Sequence, residues 1–112
     1  MSTRATIVLK EKDYNDLYIY HHCDGGMWGV GIDLINRIDE HMKSNKFLYR
    51  EDFANQLVKD EKDSTYEITA CLHGDESHVY TLDFDACTLD LDGERSFCWN
   101  NPEEIAEARK WE

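Results

Sequence analysis

A chain of 112 residues is long enough for one hydrophobic core, and its 41% hydrophobic and 12% aromatic content excludes a disordered polypeptide. The formal charge of −12, from 24 acids against 12 Lys and Arg, excludes ordinary nucleic-acid binding, which needs clustered cations against phosphate. No run approaches the ~20 apolar residues of a membrane span, and Met1 to Lys10 does not resemble a signal peptide, so the expected location is the cytoplasm.

Ala5 to Lys10 alternates as a strand, with Ile7 and Leu9 on one face and Thr6 and Val8 on the other. Glu11 to Asp16 is a polar connector, and Leu17 to His22 is a second strand, so the two form an antiparallel hairpin. Met27 to Lys43 switches to helical spacing, with Val30, Leu34, Ile35, Ile38 and Met42 on one stripe. Glu51 to Lys59 reads as a shorter helix carrying Phe53 and Leu57 on one face. After a charged loop at Asp60 to Ser64, Tyr66, Ile68, Ala70 and Leu72 alternate as a half-buried strand. Gly74 to Ser77 is a turn, and His78 to Phe84 is the next strand, with Tyr80, Leu82 and Phe84 inward. Thr88 to Leu91 and Arg95 to Trp99 complete the strands. Asn101-Pro102-Glu103-Glu104 starts a closing helix: Asn101 caps, Pro102 suits the first helical position, and Glu104 sits where a capping box needs it. The expected fold is a single α+β domain over residues 1–112. Its sheet is mostly antiparallel, of five to six strands, with two or three helices packed on one face.

The densest polar stretch is Tyr20-His21-His22-Cys23-Asp24-Gly25-Gly26, followed by Met27-Trp28-Gly29-Val30-Gly31. On an extended strand His21 and His22 face opposite ways, whereas His22 and Asp24 share a face. A carboxylate beside an imidazole orients the ring for general-base chemistry. Pairing Leu9 with Ile19 sets Thr6 opposite His22 and Arg4 opposite Asp24. Arg4, His22 and Asp24 are then candidate catalytic residues, with a structural ion pair as the alternative. Gly25, Gly26, Gly29 and Gly31 are candidate ligand-binding positions: the first two permit positive φ, and the last two sit where free helical N–H groups attract anions. The spacing is neither the dinucleotide fingerprint nor a Walker loop, so a plain structural turn is the competing reading. Cys23, Cys71, Cys87 and Cys98 form no C-x-x-C pair, so no zinc site, metal or cofactor is expected and the thiols are taken as free.

Met1-Ser2-Thr3-Arg4-Ala5-Thr6-Ile7, Tyr20-x-His22-x-Asp24-Gly25 and Gly29-Val30-Gly31 together resemble a group of small uncharacterised proteins of bacteria and their phages. The likeness covers the first third of the chain. This chain departs from that group at Cys23, where an aromatic residue is frequent, and at Gly26-Met27, where an aromatic-Pro pair is common. The resemblance implies weight for Arg4, His22 and Asp24 without implying a reaction.

Residues 51–112 hold 17 acids and 5 Lys or Arg, so the whole charge excess lies in the second half. A two-residue turn at Ala86-Cys87 pairs Phe84 with Leu89 and Asp83 with Asp90, and sets Asp83, Asp85, Asp90 and Asp92 on one outer face. That face is a candidate interaction surface. Calcium is a weaker alternative, because EF-hand spacing is absent. A solvating, anti-aggregation face is another, and mimicry of nucleic acid is a third. The favoured reading is a small acidic interaction protein, bacterial or phage-borne, that meets a basic protein partner and binds neither nucleic acid nor membrane. Its alternative is a small hydrolase acting on a phosphate-containing ligand through Arg4, His22 and Asp24. The oligomeric state is left open.

Overall fold

The computed structural model describes residues 3–21, 25–44, 48–59, 66–72 and 74–111. The elements run β1 (Ala5–Lys10), β2 (Leu17–His21), a π-helical turn (Met27–Gly31), α1 (Ile32–Lys43), α2 (Arg50–Lys59), β3 (Tyr66–Thr69), β4 (His78–Asp83), β5 (Thr88–Leu91), β6 (Arg95–Cys98) and α3 (Pro102–Ala108). All six strands join one sheet in the order β3-β2-β1-β4-β5-β6. β1 and β4 are parallel; the other neighbours are antiparallel. The fold is α+β with a mostly antiparallel sheet, as the alternating strands and hairpins require.

Burial follows the alternation. Ile7, Leu9, Ile19, Tyr80, Leu82, Leu89, Leu91 and Phe97 share one core with Leu34, Ile35 and Ile38 of α1, Phe53 and Leu57 of α2, and Ile105 of α3. The three helices therefore cover one face of the sheet. The helical stripe spaced three and four apart is what allows this, since it turns every apolar side chain to the same side. Asn101 caps α3, accepting from Glu103 N at 3.0 Å, and Pro102 opens the helix. Glu104 does not close a reciprocal capping box. It accepts from Cys98 N at 3.2 Å instead, while Asn101 N donates to Cys98 O. The end of β6 and the start of α3 thus satisfy each other.

Both hairpins differ from the expected register by two residues. Leu9 pairs with Leu17 and Thr6 with Tyr20, so Thr6 does not stand opposite His22. Leu82 pairs with Leu89 and Asp83 with Thr88, so Asp83 and Asp90 are not opposed. A slip of two leaves every side chain on its own face, so alternation cannot detect it. The second turn is wider than expected because Phe84 leaves the strand to pack edge-on against Phe53 and Trp99, with centroids 6.1 and 5.4 Å away. Cys87 then closes the turn at φ 59°.

β3 is also shorter than the alternation implies. It ends at Thr69, and Ile68 and Leu72 are exposed rather than half-buried. β3 lies at the sheet edge, beyond the reach of the core that alternation presupposes. The helical run from Met27 begins with a π turn in which Gly31 N donates to Gly26 O at 3.2 Å. No helix among the described residues is long and apolar enough to cross a membrane.

Candidate functional site

β3 and β4 run in the same direction with β2 and β1 between them. Thr69 is level with Val8, whereas His78 is level with Ala5. The connection between β3 and β4 must therefore travel back along the sheet, and it does so on the face without helices. Asp75 and Glu76 fasten it. Tyr20 donates its phenolic hydrogen to Asp75 Oδ1 at 2.9 Å, and Arg4 Nη1 reaches Asp75 Oδ2 at 3.2 Å. Thr6, fully buried, donates to Glu76 Oε2 at 2.6 Å. Gly74 N donates to the other oxygen of Glu76 at 2.8 Å, and Ser77 N to Arg4 O at 2.8 Å. Burial raises the Tyr20 hydroxyl pKa above the ordinary tyrosine value, and its bond to the Asp75 carboxylate adds to the effect.

Of the candidate catalytic residues, Arg4 is thus bonded to Asp75, while His22 and Asp24 lie outside the described residues. Neither Asp75 nor Glu76 stands out in the sequence, because the contact to Arg4 and Thr6 spans about seventy residues and exists only through the crossover.

The glycines have more specific duties than conformational freedom. Gly25 and Gly26 do not take positive φ; Gly26 is extended at φ −72°, ψ −179°. Gly25 lies so close to β1 that an added Cβ would sit 2.8 Å from the Ala5 Cβ and the Arg4 carbonyl carbon. Its N–H donates to Thr3 O at 2.9 Å, and its carbonyl accepts from the buried Tyr80 hydroxyl at 2.8 Å. Burial, helped by the charge of Asp92, pushes that hydroxyl's pKa far above normal. Gly29 N and Gly31 N both donate to Gly26 O, at 3.1 and 3.2 Å, so these two N–H groups are used within the turn. Thr3, Gly26, Trp28 and Gly29 line an open cleft of about 360 Å³, with Trp28 71% exposed.

The aspartates of β4 and β5 share a common habit. Asp83 Oδ1 accepts from Asp85 N and Ala86 N, both at 3.0 Å. Asp85 Oδ2 accepts from Lys12 N, tying this turn to the β1–β2 connector. Asp90 Oδ2 accepts from Gly93 N at 2.7 Å. Asp92 Oδ1 accepts from Val79 N at 2.7 Å, while its Oδ2 lies 2.8 Å from His78 Nδ1. Asp83 and Asp90 each organise their own turn, where a short side chain reaches N–H groups two or three residues on, whereas Asp85 and Asp92 tie their turns to the β1–β2 connector and to β4. Among the described residues, no Lys or Arg lies within ion-pair distance of Asp83, Asp85, Asp90 or Asp92. Asp83 and Asp90 stand on the helix-free face with Thr81, Thr88 and Ser96 beside them.

A second groove of about 590 Å³ runs along α1, lined by residues such as Asp33, Arg37, Glu40 and His41, with Gln56 of α2 opposite. Arg37 Nε bonds Asp33 there at 3.0 Å. No group of three or more His, Cys, Asp or Glu among the described residues is placed to hold a metal ion. No protein-family model matches the chain, and no curated protein and no solved structure matches it.

Proposed function

We propose that this chain is a small cytoplasmic interaction protein whose helix-free β4–β6 face docks a positively charged protein partner. One observation supports the reading above the others: among the described residues no Lys or Arg pairs with Asp83, Asp85 or Asp90, while backbone N–H donors hold their carboxylates in place. A charged surface already ordered loses little side-chain entropy when a partner arrives. The charge excess in the second half steers a cationic partner toward the same region. The hydrolase reading has less behind it. Its anion clamp, Arg4, is bonded to Asp75, and the N–H groups of Gly29 and Gly31 serve Gly26.

The test is binding of a fluorescent oligolysine peptide, followed by anisotropy at low and moderate salt. Asp83→Asn with Asp90→Asn should weaken binding several-fold and flatten its salt dependence. Glu103→Gln with Glu107→Gln removes the same charge from α3 and should do much less. Equal losses from the two pairs would reduce the effect to net charge and end the proposal of a defined face.

A further inference from the structure

The connection between β3 and β4 crosses two strands, β2 and β1. Thr69 is level with Val8 and Ser77 bonds Arg4, so its ends stand about 20 Å apart, three strand spacings across and four residues along. Eight residue steps reach ~28 Å, so the connection has slack to lift without pulling either strand. Of its described residues Glu76 is half-buried and the others, Leu72 included, are exposed, so none anchors it in the core. Among the described residues no backbone hydrogen bond ties 70–76 to the sheet, and backbone pairing resumes where Ser77 N donates to Arg4 O. Tyr20 and Arg4 hold Asp75, and Thr6 holds Glu76. Beneath the connection Thr6 and Tyr20 are 0% and 2% exposed, on the face that carries no helix.

We propose that this connection is a strap that lifts as a unit while the sheet stays folded, and so gates a row of donors formed by Arg4, Thr6 and Tyr20. Segments with few buried apolar contacts open below the free energy of global unfolding. Each hydroxyl bond here, close to water, favours the closed form by roughly five-fold, and the half-exposed ion pair by less. Closure is thus favoured on the order of 10–100-fold, whereas whole-domain folding is favoured ~10³–10⁸-fold. The lifted strap is a minor state in which Thr6 and Tyr20 meet water and the core does not.

Lifting releases together three donors that now serve carboxylates. The strap covers the β1–β2 half of the helix-free face, whereas partner docking is placed on β4–β6. Neither proposal depends on the other.

N-acetylimidazole, which acylates tyrosine hydroxyls, tests this on the wild-type chain. Tyr20 lies beneath the strap, and Tyr80, 0% exposed, lies in the core. Initial rates at each site, resolved by mass spectrometry, are followed through urea concentrations below the unfolding transition. Tyr20 should react roughly ten-fold faster than Tyr80 or more, at a rate nearly independent of urea, because lifting the strap exposes little surface. Tyr80 should react through unfolding, at a rate that climbs steeply with urea. Thr6→Val should speed Tyr20 about five-fold and keep its flat urea response. Asp90→Asn, on the same face but away from the strap, should leave it unchanged. Equal urea slopes at Tyr20 and Tyr80 would overturn the proposal, because the strap would then open only with the sheet. So would a Tyr20 rate indifferent to Thr6→Val, or one raised as much by Asp90→Asn.

Discussion

Tyr20 donates its phenolic hydrogen to Asp75 at 2.9 Å, joining the buried middle of the sheet to a connection fifty-five residues later in the chain. Asp75 also holds Arg4, and its neighbour Glu76 holds Thr6. These bonds replace the helix that normally covers a parallel crossover. Removing one should therefore loosen the crossover without emptying the core. Tyr20→Phe should cost about 1 kcal/mol, because Asp75 keeps Arg4 and is itself near water. Thr6→Val removes the Thr6 hydroxyl's bond to Glu76 beneath the connection, and should cost about 1 kcal/mol. Urea melts should show lower midpoints with unchanged slopes.

Gly25 and Gly26 are adjacent but should answer differently to alanine. At Gly25 the new Cβ would meet Ala5 and the β1 backbone at 2.8–2.9 Å, and backbone cannot step aside cheaply. Gly25→Ala should destabilise by about 1–3 kcal/mol or more. At Gly26 nothing lies within 4 Å and φ is −72°, so Gly26→Ala should be neutral or stabilise by up to ~1 kcal/mol through the unfolded chain. Paired thermal melts decide it. Equal losses at both positions would contradict the close approach of Gly25 to β1.

Replacing Asp83 and Asp90 by Asn should leave stability nearly unchanged. The amide oxygen still accepts the N–H bonds from Asp85, Ala86 and Gly93. No stability gain from relieving opposed carboxylates is expected, since Asp83 faces Thr88 and Asp90 faces Thr81. Replacement by Ala removes the acceptors and should cost about 1 kcal/mol at each site. Calcium should not raise the wild-type Tm. A rise of several degrees at sub-millimolar calcium, absent from the double Asn variant, would reassign the hairpin to metal binding.

Asp39 carries the clearest pH signature. Burial by itself pushes its carboxyl pKa up, but hydrogen bonds from Lys43 and Arg109 outweigh that and hold it below the ordinary aspartate value. A group whose pKa is lowered on folding adds stability that is full above its unfolded pKa. That contribution is lost as pH falls through the folded value. Asp39→Asn should therefore be less stable than wild type at neutral pH, and the gap should close progressively in acid. Glu51, lowered mainly by its bond with Arg50, works in the same direction. A gap that stays constant from neutral pH into the acid range would remove Asp39 from this role.

Much of this architecture was legible locally. Alternation located β1 and β4, aromatic and branched residues located β2, turn signals bounded β5 and β6, and the spacing of Leu34, Ile35 and Ile38 located the face of α1 that meets the sheet. Asn101-Pro102 marked the start of α3, because capping is a short-range bond. The aspartates of the β4–β5 segment could be named from sequence as a charged outer face. Their work as turn acceptors could not, because it depends on where each turn closes.

Tertiary structure alone decided the rest. Register shifted by two in both hairpins, because a period of two is blind to such a slip; in the β4–β5 hairpin Phe84 leaves the ladder to pack against Phe53 and Trp99. The exposure of Ile68 followed from β3 lying at an edge, a fact about strand order that no local pattern contains. Arg4 met Asp75 rather than a neighbour in its own hairpin, because the crossover brings distant carboxylates over β1 and β2. Local sequence sets which way a side chain faces; long-range strand order, whose reward comes only after a large loop is closed, sets what it meets there.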